Sequence, residues 1–288
     1  MTIQSEPSGS APAVILMGSP GAGKSWALTT LVECGLELFV IGTEPRFVDA
    51  LFDSAAARKI DTKRIHTKMV QPMRSSFKSL IASATFINQL SFESLAQIKG
   101  GVGKTDYNQF IVLLQALENF VDDRTGEVFG AVDTWGPERA LALDSMSGVN
   151  LMAMDLVVGA KPIRAIGEWG VAMENEERLI NKLASDLHCP FVLTAHQERE
   201  RDELTGGTSV QIGMLGQKLA PKMPRLFSEV VHCRRDSSNY FWSTITPFYE
   251  LKRRVLPLSD KIEPHFRSII NAWRARSKTE KEANNDVA

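Results

Sequence analysis

The sequence predicts an α/β fold: a mainly parallel central sheet flanked by helices, with antiparallel strands at the C-terminal end. Three observations carry this. Short, continuous apolar runs recur, AVILM (13–17), LELFVIGT (36–43), RALAL (139–143) and PFVLTA (190–195), and a run apolar at every position suits a strand covered on both faces. Stretches with helical spacing lie between them. A Gly- and Pro-containing turn joins the first run directly to the first helical stretch.

In chain order, residues 1–12 (MTIQSEPSGSAP) read as a flexible leader rich in Ser and Pro. The first strand is followed by a helix from about Lys24 to Cys34, the second strand, and a helix over Arg46–Lys59. Arg64–Val70 suits an edge strand that stops before Pro72. Phe77, Leu80, Ile81, Ala84 and Ile87 recur at helical spacing within Ser75–Leu90. Glycines and lysines break the pattern over Ser91–Tyr107, Asn108–Val121 is helical again, and DDRTGEVFG (122–130) is a turn or small hairpin. Residues 73–138 together read as a variable, mostly helical insertion. The third strand ends at Asp144, and a helix over Met146–Leu156 leads into the irregular stretch Val157–Trp169. Gly170–Leu187 is a helix with charges on one side, and PFVLTA is the fourth strand. A long polar stretch then runs to Pro224, followed by a strand at Phe227–Arg234 and one or two antiparallel strands over Tyr240–Arg254. Pro264–Trp273 is a short last helix, and residues 275–288, charged and without apolar anchors, are expected to be disordered. No composition shift marks a boundary, so 13–274 reads as one domain.

Hydrophobic residues at 43% and charged residues at 23% are ordinary for a globular chain and exclude a disordered, collagenous or rod-like one. Lys and Arg total 33 against 34 Asp and Glu, a net charge of −1, so a polyanion would have to be met by a local cluster of cations. Cys34, Cys189 and Cys233 form no C-x-x-C pair and lie among apolar residues, which predicts free thiols. No signal peptide or membrane-length apolar run is present, which points to the cytoplasm.

Gly18-Ser19-Pro20-Gly21-Ala22-Gly23-Lys24-Ser25 matches G-x-x-x-x-G-K-[ST], placed between a buried strand and a helix. Glycines let the backbone curl so that its N–H groups converge, and the helix N-terminus adds a positive dipole end. With Trp26 next in line, these residues form the candidate ATP site. Lys24 can reach the β- and γ-phosphates, and the Ser25 hydroxyl can ligate Mg²⁺. A second glycine-lysine run, Gly100–Thr105, has Ile98 where the first glycine belongs and no strand before it, so it reads as a loop. Asp144 ends an apolar strand and suits the carboxylate that holds Mg²⁺; with Ser145 it also suits a helix N-cap. Glu44 ends the second strand, and carboxyl ends of parallel strands line one crevice, so it can face the γ-phosphate and orient water. A solvated loop acid is its other reading. A small-molecule kinase needs no such glutamate and is disfavoured.

This order, GSPGAGKS, a strand ending in TEP, then LALDS, TAHQ, GQKLAPKMPRLFSEVVH and YELKRR, resembles the RecA-like ATPases, and in particular small bacteriophage RecA-like nucleotide-binding proteins, some of which act in single-strand annealing. The resemblance covers residues 13–256, weakly across 73–138. It implies a RecA-like P-loop NTPase core that hydrolyses Mg·ATP and acts on single-stranded DNA in phage recombination or annealing. It further implies Glu44 as the catalytic carboxylate and His196 or Gln197 as the γ-phosphate sensor. Lys252 and Arg254 resemble a K-x-R element that inserts cations into a neighbour's ATP site, which implies a homo-oligomer, ring or filament, with ATP at the subunit interface; a solvated basic strand end is the other reading. A single-strand binding protein is a further implied partner, and no membrane is. RecA itself has a docking helix and strand before its first core strand, and here only twelve polar residues precede it, which argues against filaments built by that route. The loops corresponding to DNA contacts, 158–169 and 198–224, supply Lys161, Arg164, Lys218 and Lys222, with Arg225 at the end; Glu198, Glu200, Asp202 and Glu203 offset Arg199 and Arg201. From Lys218 to Arg254 basic residues outnumber acids. Two rival functions share the core: a ring-forming helicase or motor, and a nucleotide-dependent switch that binds protein partners and little DNA.

Overall fold

The computed structural model describes residues 10–72, 76–98, 107–159, 161, 163–201, 207–216, 218–237 and 239–285. The greater part of the expected leader, the Gly100–Thr105 run, Asp202 and Glu203 with the rest of 202–206, and residues 286–288 of the expected tail lie outside them.

Seven strands form one sheet, and six of them run parallel. The apolar runs supply its centre: β1 (Ala13–Met17), β2 (Glu37–Gly42), β6 (Arg139–Asp144) and β7 (Phe191–Ala195), joined by β3 (Ile65–Met69) at one edge and β10 (Glu229–Asp236) toward the other. The spatial order is β11-β10-β1-β7-β6-β2-β3, with β11 (Asn239–Ser243) antiparallel to β10. Ala13 lies opposite Phe191, and Val14 opposite Glu229. All four central strands are covered on both faces. Ile15, Met17, Phe39, Ile41, Leu141 and Leu193 point to one core, shared with α5 (Gln109–Glu118), α6 (Met146–Val158) and α7 (Ile166–Ser185). The alternate residues, Val14, Leu16, Leu38, Val40, Ala142 and Val192, point to the other, covered by α1 (Lys24–Glu33), α2 (Phe47–Ala57) and α8 (Arg267–Asn285). At about 1.5–3 kcal/mol for each large apolar side chain taken from water, these two layers dominate the stability of the sheet.

Several elements differ from the sequence reading. The helix expected over 108–121 stops at Glu118, because Asn119 leaves helical geometry (φ −148°), and the fully buried Phe120 begins the hairpin β4–β5 (Phe120–Val121, Val128–Gly130). α7 starts at Ile166, not Gly170: the Glu168 carboxylate accepts the Ala165 N–H at 2.7 Å and holds the first turn. The polar stretch after β7 contains a charged hairpin, β8 (Gln197–Arg201) with β9 (Thr208–Ile212), which an apolar-run criterion misses. α3 (Phe77–Asn88) is the helix its periodicity predicts, yet Phe77, Ile81 and Phe86 are exposed; α4 (Phe92–Ala96) adds a turn of helix where none was expected. α8 continues as helix to Asn285, into the segment expected to lack structure, anchored upstream by Ile269, Ile270 and Trp273. None of the described helices is long and apolar enough to cross a membrane. The three cysteines are free, Cys189 and Cys233 buried and Cys34 partly so.

Candidate functional site

The C-terminal ends of β1, β2, β6 and β7 open onto one edge of the sheet, where a cavity of about 290 Å³ is lined by Lys24, Ser25, Glu44, Asp144 and His196, with Arg46 among the others. The segment 18–25 wraps its floor. Gly18 is packed so closely that a Cβ would lie 2.6 Å from the Cys233 carbonyl oxygen. Gly23 has φ +87°, caps α1 in a left-handed conformation, and has Tyr240 Cδ1 2.6 Å from where a Cβ would be. Ser19, Pro20 and Gly21 form the exposed rim of the turn, and Ala22 packs beneath it.

Lys24 is buried, and its Nζ donates to the Gly18 and Ser19 carbonyls at 2.8 and 3.1 Å. Burial lowers its pKa, while Cys233, Asp144 and Glu44 act against that. Asp144 is buried where β6 ends and accepts from the Thr194 hydroxyl on β7. Burial holds its carboxyl above the usual range, against the Thr194 hydrogen bond and the Lys24 charge. Of its two sequence readings, the N-cap position of α6 belongs to Ser145, which leaves Asp144 facing the cavity. Thr43 ties β2 to this corner: its Oγ1 donates to the Ser145 carbonyl at 2.6 Å and accepts the Ser145 N–H at 2.9 Å.

Glu44 is half-buried beside this corner. Its carboxylate accepts from the Ser145 hydroxyl and meets His196 Nε2 at 3.1 Å. The His196 hydrogen bond pulls its pKa below the ordinary value, with burial opposing and Ser145 and Lys24 assisting. His196 Nδ1 is buried without a hydrogen-bond partner among the described residues. Gln197, one residue on, is the first residue of β8, and its Oε1 accepts the Tyr249 hydroxyl at 3.0 Å, so the cavity receives His196 and not Gln197.

Among the cavity residues that no motif announced are Arg46 and Tyr240. Arg46 follows Glu44-Pro45 directly and has a left-handed backbone (φ 63°), which is uncommon for a residue with a side chain. Tyr240 comes from β11, over 200 residues from the loop it covers, and no local pattern announces it; its ring lies 5.6 Å from that of Trp26, over which the Arg58 guanidinium sits at 4.9 Å.

The remaining predicted residues are dispersed. Lys161 is buried and paired with Glu168 at 2.7 Å, so it is not placed to meet a phosphate chain. Arg164 is exposed over the Trp169 ring at 5.7 Å. Lys218, Lys222 and Arg225 are exposed around a 3₁₀ segment, Ala220–Leu226, with Arg225 3.6 Å from Glu177. Lys252 and Arg254 lie at the opposite edge of the sheet from Lys24: Lys252 bridges Val230 near the start of β10, and its Nζ donates to the Pro224 and Arg225 carbonyls.

The donor set fits Mg²⁺ held with a nucleotide. The described residues hold no cluster of three or more His, Cys, Asp or Glu side chains that would form a protein-only metal cage. Magnesium at phosphates characteristically takes only one or two protein oxygens beside phosphate and water, and Ser25 and Asp144 line the same cavity. No protein-family profile matches the chain, and no curated protein matches it in sequence.

Proposed function

We propose that the chain is a RecA-like P-loop ATPase that binds and hydrolyses Mg·ATP and acts on single-stranded DNA in phage recombination or annealing. One observation carries the ATPase reading: a G-x-x-x-x-G-K-S loop between a buried parallel strand and a helix shares one cavity with Asp144, Glu44 and His196. The single-stranded DNA role rests on the ordered motifs of the sequence.

The loop amides and the N-terminus of α1 bind phosphate oxygens. Lys24, already poised over the loop carbonyls, places its ammonium against the β- and γ-phosphates. Ser25 and Asp144 hold Mg²⁺, which when bound neutralises charge on the phosphates. Glu44, kept ionised by its hydrogen bonds to His196 and Ser145, accepts a hydrogen bond from the attacking water and aims it at the γ-phosphorus. His196 touches both this carboxylate and the cavity, so a change at the γ-phosphate can pass through it to β8.

The test is ATP hydrolysis by the wild type and Lys24→Ala, with and without single-stranded DNA. We expect Lys24→Ala to lose about 100- to 1000-fold in kcat, the cost typical of removing one preorganised charge-stabilising donor, and the wild type to be stimulated by DNA. Unchanged hydrolysis by Lys24→Ala would refute the site.

A further inference from the structure

A second cavity, of about 360 Å³, lies at the opposite edge of the sheet from Lys24, and Arg225, Lys252, Arg253, Arg254 and Arg276 line it without a single acid. Its floor is the start of β1 and β10: Ala13 and Ser228 belong to it, and the Ser228 N–H donates to the Ala13 carbonyl at 2.8 Å. Since β1 runs from Ala13 to Met17 and the glycine-rich turn follows at Gly18, about 16 Å of strand separates the two cavities. The phosphates of one nucleotide cannot reach both.

The cations come from three places in the sequence. Arg225 lies in the last turn of the 3₁₀ segment, 252–254 follow β11, and Arg276 lies on α8. Lys252 locks two of these pieces together through the Pro224 and Arg225 carbonyls. The buried Glu229 carboxylate fixes the third residue of the run by accepting the Arg254 and Val255 N–H groups at 3.0 and 2.6 Å. Arg225 has Glu177 at 3.6 Å, whereas Arg253, Arg254 and Arg276 make no ion pair among the described residues. The buried Glu229 carboxylate offsets part of the Arg253 charge, yet in a chain of net charge −1 these cations leave one concavity locally positive and attractive to an anion.

We propose that this cavity is a phosphate-backbone site for single-stranded nucleic acid. Planar guanidinium forks suit phosphate oxygens bidentately. A flexible single strand can bend its backbone into a concavity that a stiff duplex only skirts. The proposal rests on the reading of single-stranded DNA as the partner, and it moves the principal contact away from Lys161 and Arg164 to Arg253, Arg254 and Arg276.

The test is fluorescence anisotropy of a fluorescein-labelled oligothymidylate at several salt concentrations, with the full chain, the double variant R253Q/R276Q and the charge-keeping R253K/R276K. We expect R253Q/R276Q to bind about tenfold more weakly at moderate salt and its log Kd–log salt slope to fall by about 1.4, at about 0.7 per phosphate contact in a single strand. The lysine variant should recover most of that slope, which separates lost charge from lost folding. If the wild type binds the oligothymidylate and R253Q/R276Q binds it equally, this cavity is refuted while the DNA reading stands. If the wild type itself does not bind, both fall. Tighter binding of a duplex of the same length would overturn the single-strand assignment, and a double variant that loses ATP turnover but keeps its oligonucleotide affinity would overturn the site.

Discussion

At the residue scale the candidate ATP site turns on how few groups hold Glu44. Its carboxylate is fixed by His196 from β7's end and Ser145 from β6's end, and the His196 hydrogen bond is the largest influence holding its pKa down. A carboxylate that orients water must be ionised, so activity fades as pH falls through its pKa. Removing His196 takes away that support, and the pKa rises toward its ordinary value. For His196→Ala we therefore expect the acidic limb of the kcat/KM–pH profile to move to higher pH. kcat should drop about tenfold, less than the 100- to 10,000-fold loss expected for removing a catalytic base itself. A variant that loses activity with its acidic limb in place would show that His196 acts on something other than Glu44. The sequence pointed to Glu44 and Asp144 because each ends an apolar run, and to His196 or Gln197 only through the resemblance. It left His196 and Gln197 undivided because adjacent residues on a strand point to opposite faces, and nothing local says which face meets the loop.

At the scale of elements, the corner where β2, β6 and α6 meet sets the geometry of the site. Gly148, in the first turn of α6, has no room: a Cβ there would collide with Thr43 Oγ1 and lie 2.9 Å from the Thr43 carbonyl oxygen. Thr43 in turn holds Ser145, which holds Glu44. Gly148→Ala should cost about 1–3 kcal/mol as an overpacking change, partly offset by the better helix propensity of alanine. It should lower the urea midpoint at unchanged m-value and lower kcat as well, since the displaced Thr43 carries the Glu44 support with it. Unaltered turnover would uncouple this corner from the chemistry. Buried parallel strands were legible because they must be apolar at every position. The β8–β9 hairpin was not, because QERER is polar at every position, with no apolar face to mark it, and is held by backbone pairing with a few polar side-chain contacts. α3 shows the converse: its periodicity is right, but Phe77, Ile81 and Phe86 have no core to enter among the described residues, and sequence spacing cannot supply the partner surface.

Across the whole molecule, charge placement matters more than charge balance. The net charge of −1 conceals a cavity of five cations at one edge of the sheet and two carboxylates beside Lys24 at the other. It also conceals an acid in the interior. Glu176 belongs to MENEERLI, which reads as the charged side of an amphipathic helix, yet α7 turns it fully inward, where the Leu215 backbone offsets only a small part of the cost of burial. Burial pushes its pKa up to about 8 from 4.5. Between those values the folded chain keeps a proton that the unfolded chain has released. Stability contributed by the neutral acid is therefore complete at low pH and is lost at about 1.4 kcal/mol per pH unit as pH rises through that window, levelling off above about 8. Glu176→Gln carries a neutral group of the same shape at every pH. We expect it to be more stable than the wild type at pH 8, with a gap that narrows steadily as pH falls toward 5, measured by urea denaturation across that range. A gap independent of pH would mean that Glu176 is ionised and paired in the folded chain, and the inward turn of α7 would then serve some charge that these contacts do not include.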